Sequence, residues 1–256
     1  MAWGNPVLAA GSSVADLVMP DGLQTRIGAW LLTNTSADAF RTPASYYSEH
    51  GIETVFDDYE SKAIGVPNYV VDPDVEDREH SLRRSLGSLF ERDPDAVGGH
   101  TSADPYAFYE QCLEMAMVRI ARARRGLRGG RHELVFAYSS GLDLVGHVTY
   151  DLPELQQNAY NELDEFVGEL RTDLGAGDKL LLVSDHGLQN GVHTHEAMVA
   201  GTDESLIETI DSVLDVRAAI EAELRGGEHR GDRDRGSFSE DGAAQVKGQL
   251  EDLGYM

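Results

Sequence analysis

Residues 180–196 read LLLVSDHGLQNGVHTHE, an apolar run that stops on an acid and an imidazole and then gives two more histidines within nine residues. Four consecutive apolar residues of this kind predict a strand of a parallel sheet, covered on both faces. Open α/β sheets bind their ligands in the crevice beyond the carboxyl ends of the strands. An Asp-His pair at that edge predicts a site there, with Asp185, His186, His193 and His195 as its first candidates.

A second stretch has the same character. ELVFAYSS (133–140) predicts a buried strand, and GLDLVGH follows it, so Asp143 and His147 fall just past a strand end, four residues apart, on a glycine-bracketed turn. Between the two strands, residues 151–174 carry Leu152, Leu155, Ala159, Leu163, Phe166, Val167 and Leu170 on one helical stripe. Strand, helix and strand in that order predict a right-handed β-α-β unit with parallel strands. Both acid–imidazole pairs then reach the same edge of the sheet. Two aspartates and three or four neutral imidazoles form a ligand set that zinc or manganese accepts. One metal would leave ligands spare, whereas two would use them. A D-x-x-x-H spacing is common by chance, and any one of these histidines is as well explained as a surface or capping residue. The conjunction is what points to metal.

GLDLVGH, VSDHG and VHTHE resemble the three metal motifs of the alkaline phosphatase superfamily, especially its phosphodiesterase–nucleotide pyrophosphatase and phosphomutase branches. The resemblance runs from about Glu133 to Ala200, and QLEDLGYM resembles a common C-terminal ending there. It implies an α/β fold with a mainly parallel sheet and helices on both faces. It further implies two divalent metal ions, zinc or manganese. Asp143, His147 and a later histidine would hold one; HTHE resembles the mutases' H-T-R-E, which favours His193, with His195 the alternative. Asp185 and His186 would hold the other. The implied chemistry is hydrolysis of a phosphate monoester or diester of a small molecule through a threonine or serine nucleophile, with a phosphomutase or phosphonate hydrolase as nearer rivals.

The family pattern also asks for an aspartate at the end of the first strand and a nucleophile some tens of residues later. MPDGLQ offers Asp21, and FRTPASYYSEHGI offers Thr42 upstream of HGI, although the gap from Thr42 to HGI is shorter than the pattern's. Thr33 and Thr35 are further candidates. Alternatively, YYSEHGIETVFDDYESKAIGVPNY aligns with a later family segment that runs into V-P-N. The chain is then a truncated relative without a nucleophile, with a binding or regulatory role. Sulfatases share the fold but need C-x-P-x-R or S-x-P-x-R, and Cys112 lies in EQCLEM.

Length and composition set the frame. At 256 residues and 41% hydrophobic, the chain suits one α/β domain over 1–224, with 72–104 as a candidate cap insertion, a solvated linker over 225–242 and a short helix over 243–256. AIGVPNYVV (63–71) predicts a strand that leaves the sheet at Pro67. Asp104-Pro105 opens a long helix over 105–130, and residues 203–224 predict another. The 45 acids outnumber 21 bases for a net charge of −24, and only Lys62, Lys179 and Lys247 are lysines. Such self-repulsion is relieved by molar salt, which predicts a halophilic, high-salt cytoplasm. It argues against a nucleic-acid platform, which needs a basic footprint. A lone Cys112 permits no intramolecular disulfide, no apolar run reaches the roughly 18–20 residues of a membrane span, and no signal peptide is evident. The arginines from Arg119 to Arg131 read as favourable charge at a helix C-terminus. Asp57, Asp58 and Glu60 read as a solvated face. His50, His80, His100, His132 and His229 have no partner at ligand spacing.

Overall fold

The computed structural model describes residues 42–72, 82, 85–97 and 99–226; Asp21, Thr33, Thr35 and the segment 243–256 lie outside them. In chain order, helix α1 (Ala44–Glu49) leads to strand β1 (Ser61–Ile64), the paired strands β2 (Glu91–Arg92) and β3 (His100–Thr101), the long helix α2 (Pro105–Gly129) and strand β4 (Leu134–Ala137). Helices α3 (Gly141–Val148) and α4 (Pro153–Thr172) follow. Then come strands β5 (Leu181–Val183), β6 (Gly187–Gln189), β7 (Val192–Thr194) and β8 (Val199–Gly201), and helices α5 (Glu204–Ile207) and α6 (Val216–Gly226).

Helix α2 begins and ends where its sequence dictates. The Asp104 carboxylate accepts the Ala107 N–H at 3.0 Å and Pro105 occupies the first turn. At the far end Gly130 takes the left-handed conformation (φ 60°). Its apolar face packs against α3 and α4. Phe108, Tyr109, Cys112, Leu113 and Met115 from α2 meet Val145 and Val148 from α3 and Leu155 and Ala159 from α4 in one buried cluster. Burying side chains of this size stabilises by roughly 1.5–3 kcal/mol each, which makes this three-helix contact the anchor of everything that α3 carries. Cys112 belongs to it, and burial pushes its thiol up to about 12. Such a thiol stays protonated and inert.

Two arginines of α2, Arg124 and Arg128, are tied to the C-terminal end of α4. Arg124 Nε donates to Asp173 Oδ2 at 2.6 Å and Arg128 Nε to Asp173 Oδ1 at 2.7 Å, while Arg124 also pairs with Glu169. The Arg124 hydrogen bond, and then that of Arg128, holds the Asp173 carboxyl below its ordinary range. A carboxylate with a depressed value stabilises the fold above its unfolded value and loses that contribution as pH falls through the native one. Asp173→Asn is expected to lower the thermal midpoint at pH 7, and the deficit should shrink as the pH is taken below about 4. Thermal unfolding of both proteins across that range checks it.

Several expectations from the sequence are corrected. The described parallel pairing is β1 with β4, in register from Ser61 opposite Leu134 to Ile64 opposite Ala137, and a separate parallel bridge joins Pro43 to Val70. The β-α-β unit is thus β1–α2–β4. Strand β5 does not join β4 but pairs antiparallel with β8, Leu181 opposite Gly201. A mainly parallel sheet is therefore not what the described residues form, although the mixture of helices with a small parallel sheet is compatible with an alkaline phosphatase-like fold. The reason is local: a hairpin follows β5 and returns the chain alongside it, where Gly201 admits the Leu180 carbonyl to 2.5 Å from the position of a Cβ. Nor is β5 fully covered, since Val183 is exposed.

Strand β1 ends at Ile64, because Gly65 turns left-handed (φ 63°) before Pro67 is reached. The helix expected over 203–224 is broken in two. Asp203 caps α5 through the Leu206 N–H, and Ser212 caps a 3-10 turn (Val213–Asp215) that leads into α6. Helix α6 continues to Gly226, two residues into the segment read as linker. Among the described residues no helix is long and apolar enough to cross a membrane.

Candidate metal centre

Asp143 and His147 are not on a turn but on helix α3, one helical turn apart and hence on one face. Strand β4 stops at Ala137, and after Tyr138 and two serines the chain winds into α3. Gly141 sits where a Cβ would lie 3.3 Å from the Cys112 carbonyl oxygen, so the start of α3 rests directly on α2. Thr149 closes the helix, its hydroxyl donating to the Val145 carbonyl at 2.7 Å.

His193 is not on a loop either. It lies on β7 of a two-residue hairpin whose tip residues, Asn190 (φ 50°) and Gly191 (φ 75°), both have positive φ. Asn-Gly is the sequence signature of that turn, and LQNGVH carried it openly. The hairpin places Leu188 opposite His193, so both project from one face. That face meets α3: a Cβ on Gly146 would lie 2.1 Å from Leu188 Cδ2. The glycine between Asp143 and His147 is therefore the gap into which the hairpin's leucine packs. Gly187 has a similar role, since a Cβ there would lie 2.4 Å from the Glu196 carbonyl oxygen and 2.5 Å from Thr194 Oγ1.

These contacts bring three donors together. His193 Nε2 lies 2.9 Å from His147 Nε2 and 3.0 Å from Asp143 Oδ1, and His147 Nε2 is 3.2 Å from the same oxygen. Cis donors around a cation with bonds near 2.0–2.1 Å stand roughly 2.9–3.4 Å apart, so the triangle fits one. The proton positions agree. His147 Nδ1 is 2.7 Å from the Gly191 carbonyl oxygen, which can only accept, so its proton sits on Nδ1 and Nε2 presents a bare lone pair. One proton on His193 Nε2 serves either neighbour well but not both, whereas a cation satisfies all three atoms. Asp143, His147 and His193 thus form a group that could hold a metal ion.

His186 adjoins this group. Its ring stacks on His193 with centroids 3.9 Å apart, its Nδ1 is 3.1 Å from the Gly187 carbonyl oxygen, and its Nε2 is 3.6 Å from Asp185 Oδ1 and 3.9 Å from Asp143 Oδ1. Asp185 itself is exposed, just beyond β5. His195 is exposed past the end of β7 and outside the donor triangle. Thr42 stands apart: its carbonyl accepts the Val70 N–H at 3.0 Å, and among the described residues no hydrogen bond or ring contact of the cluster reaches it.

Left unassigned by the sequence, His100 lies against the cluster. Its ring meets that of His147 edge-on with centroids 5.4 Å apart. No spacing pattern could have revealed this, because forty-six residues of chain separate the two and the approach of β3 to α3 brings them together.

A search of curated proteins and one of solved structures return no match. The family model described as type I phosphodiesterase / nucleotide pyrophosphatase matches residues 13–253. That family suggests phosphoester hydrolysis and is typically metal-dependent, in keeping with a cluster of one carboxylate and two imidazoles on α3 and β7. With nearly its whole length matched, the chain belongs to the type I phosphodiesterase / nucleotide pyrophosphatase family, part of the alkaline phosphatase superfamily.

Proposed function

We propose that this protein hydrolyses a phosphate monoester or diester of a small molecule, using two divalent cations, zinc or manganese, held at the α3–hairpin junction. The observation that carries the reading is the triangle of Asp143 Oδ1, His147 Nε2 and His193 Nε2, with sides of 2.9, 3.0 and 3.2 Å. These three residues would hold one cation. Asp185 and His186 would hold the second, completed by Asp21 from outside the described residues. When bound, such a pair clamps the attacking and leaving oxygens of an in-line displacement and makes a coordinated hydroxyl nucleophilic near neutral pH.

The chain's own residues prepare that chemistry. The Gly191 and Gly187 carbonyls hold protons on the Nδ1 atoms of His147 and His186, which turns both Nε2 lone pairs inward. Asp143 supplies negative charge at the centre of the imidazoles. Its place in the first turn of α3 keeps that charge near a helix N-terminus. The nucleophile is sought among Thr42, Thr33 and Thr35, the candidates the sequence offers, of which Thr42 makes no hydrogen bond with the cluster among the described residues. The high acid content further suggests that the protein works in concentrated salt, and we place it in a cytoplasm of that kind.

The test is elemental analysis of protein purified without chelator in molar potassium chloride, followed by assays on aryl phosphate monoesters and diesters. About two zinc or manganese ions per chain are expected, with hydrolysis that a chelator removes and the metal restores. One ion or none, with no turnover on either ester, would leave the chain a non-catalytic relative and end the hydrolase reading.

A further inference from the structure

Rings run in an unbroken series from the hydrophobic core to the candidate metal ligands. Phe108, fully buried on α2, lies nearly parallel to Phe90, with centroids 5.5 Å apart and planes 14° apart. Phe90 stacks on His100 at 4.4 Å and 17°. His100 meets His147 edge-on at 5.4 Å, His147 meets His193 at 4.7 Å, and His193 stacks on His186 at 3.9 Å. Distances and tilts of this kind are those that aromatic pairs favour.

The middle of the series sits on an element too small to hold itself in place. Strands β2 and β3 are two residues each, Glu91 opposite Thr101 and Arg92 opposite His100, and a pair that short has little stability of its own. Its connecting turn is tied internally by Asp93, whose N–H donates to the Gly99 carbonyl at 3.0 Å and whose carboxylate accepts the Asp95 N–H at 2.9 Å. Ring contacts tie the pair to the rest of the molecule, Phe90 on Phe108 at one side and His100 against His147 at the other.

His147 has two of its freedoms fixed already. Its backbone is helical, and the Gly191 carbonyl holds one nitrogen. The His100 ring, set edge-on to it, stands beside any turn about the Cβ–Cγ bond, a turn that would break the hydrogen bond to Gly191 and carry Nε2 away from Asp143. We propose that His100, backed by Phe90, is a positioning residue that fixes the His147 ring in its metal-facing orientation, so that the β2–β3 segment is a working part of the metal centre. This rests on the reading of Asp143, His147 and His193 as metal ligands. The role needs a ring at position 100, held between Phe90 and His147.

Cobalt(II) serves as the probe, because its visible absorption reports ligand geometry independently of any activity. Wild type, His100→Ala and His100→Phe would be titrated with Co2+ against a competing chelator, with circular dichroism recorded on each to establish folding. Outer partners of metal ligands typically contribute about 10- to 100-fold in affinity. His100→Ala is therefore expected to bind Co2+ at least about 10-fold more weakly, with an altered spectrum. His100→Phe keeps a ring in place and should restore both affinity and spectrum to near wild type. A folded His100→Ala that binds like wild type overturns the positioning role. So does His100→Phe failing as badly as His100→Ala, since that outcome would make the nitrogens the active part. Wild-type protein that takes up no Co2+ would sink the metal reading itself, and this proposal with it.

Discussion

Exchanging Asp143 for alanine is expected to release the cation bound with His147 and His193 and to cut phosphoester hydrolysis by at least about 10³-fold. The size follows from where Asp143 Oδ1 lies: it is the atom common to the contacts with His193 at 3.0 Å, His147 at 3.2 Å and His186 at 3.9 Å. Without it, His147, His186 and His193 lose the carboxylate oxygen they share, and the donor triangle keeps no negative charge to offset a divalent ion. Asp143→Asn separates charge from shape, because the amide keeps one oxygen in place. It should retain the fold and lose most of the metal. Metal content and hydrolysis of an aryl phosphate, measured on both variants, decide the matter. If Asp143→Ala keeps its metal and its turnover, the site lies elsewhere.

The second large effect is expected at Gly187. In Gly187→Ala the new methyl would stand 2.4 Å from the Glu196 carbonyl oxygen, which is backbone and cannot rotate aside. The strands of the β6–β7 hairpin must part where Gly187 faces Thr194, one residue from His193 on one side and next to His186 on the other. Overpacking of this kind costs about 1–3 kcal/mol. Two ligands move together, so metal affinity should fall more steeply than stability. Gly146→Ala offers a graded comparison: its obstacle is Leu188 Cδ2, the end of a side chain with other rotamers, and it should cost less on both counts. Thermal unfolding with and without added zinc would rank the two. Equal and negligible losses would mean that the glycines do not set the approach of the hairpin.

The contrast between these two glycines bears on what can be read from sequence. Asp143 with His147, and Asp185 with His186, announced themselves because each pair is local and follows a strand. Helices α2 and α4 were legible for the same reason: Asp104, Pro105 and Gly130 mark the ends of α2, and apolar residues recur at helical spacing along α4. The partner of β5 was not legible, because LLLVSD reads alike beside a parallel or an antiparallel neighbour. Asn190-Gly191 signalled the hairpin that decides it. The break at Ser212 was obscured by Leu206, Ile207, Ile210, Val213 and Leu214, whose spacing continues through the new cap. His100 was beyond reach because its neighbour in His147 comes from the tertiary approach of β3 to α3. Asp21, which the resemblance offers for the second cation, falls outside the described residues.

The hairpin that presents His193 also constrains the length of the chain in a way no single residue does. Side chains along a strand alternate between faces, so a shift of one position would turn His193 away from α3 and bring Val192 or Thr194 around in its place. The position of His193 along β7 is therefore constrained in parity as well as in distance from the turn. One residue inserted in β7 ahead of His193 is expected to turn the histidine off the metal side, whereas two would keep it there.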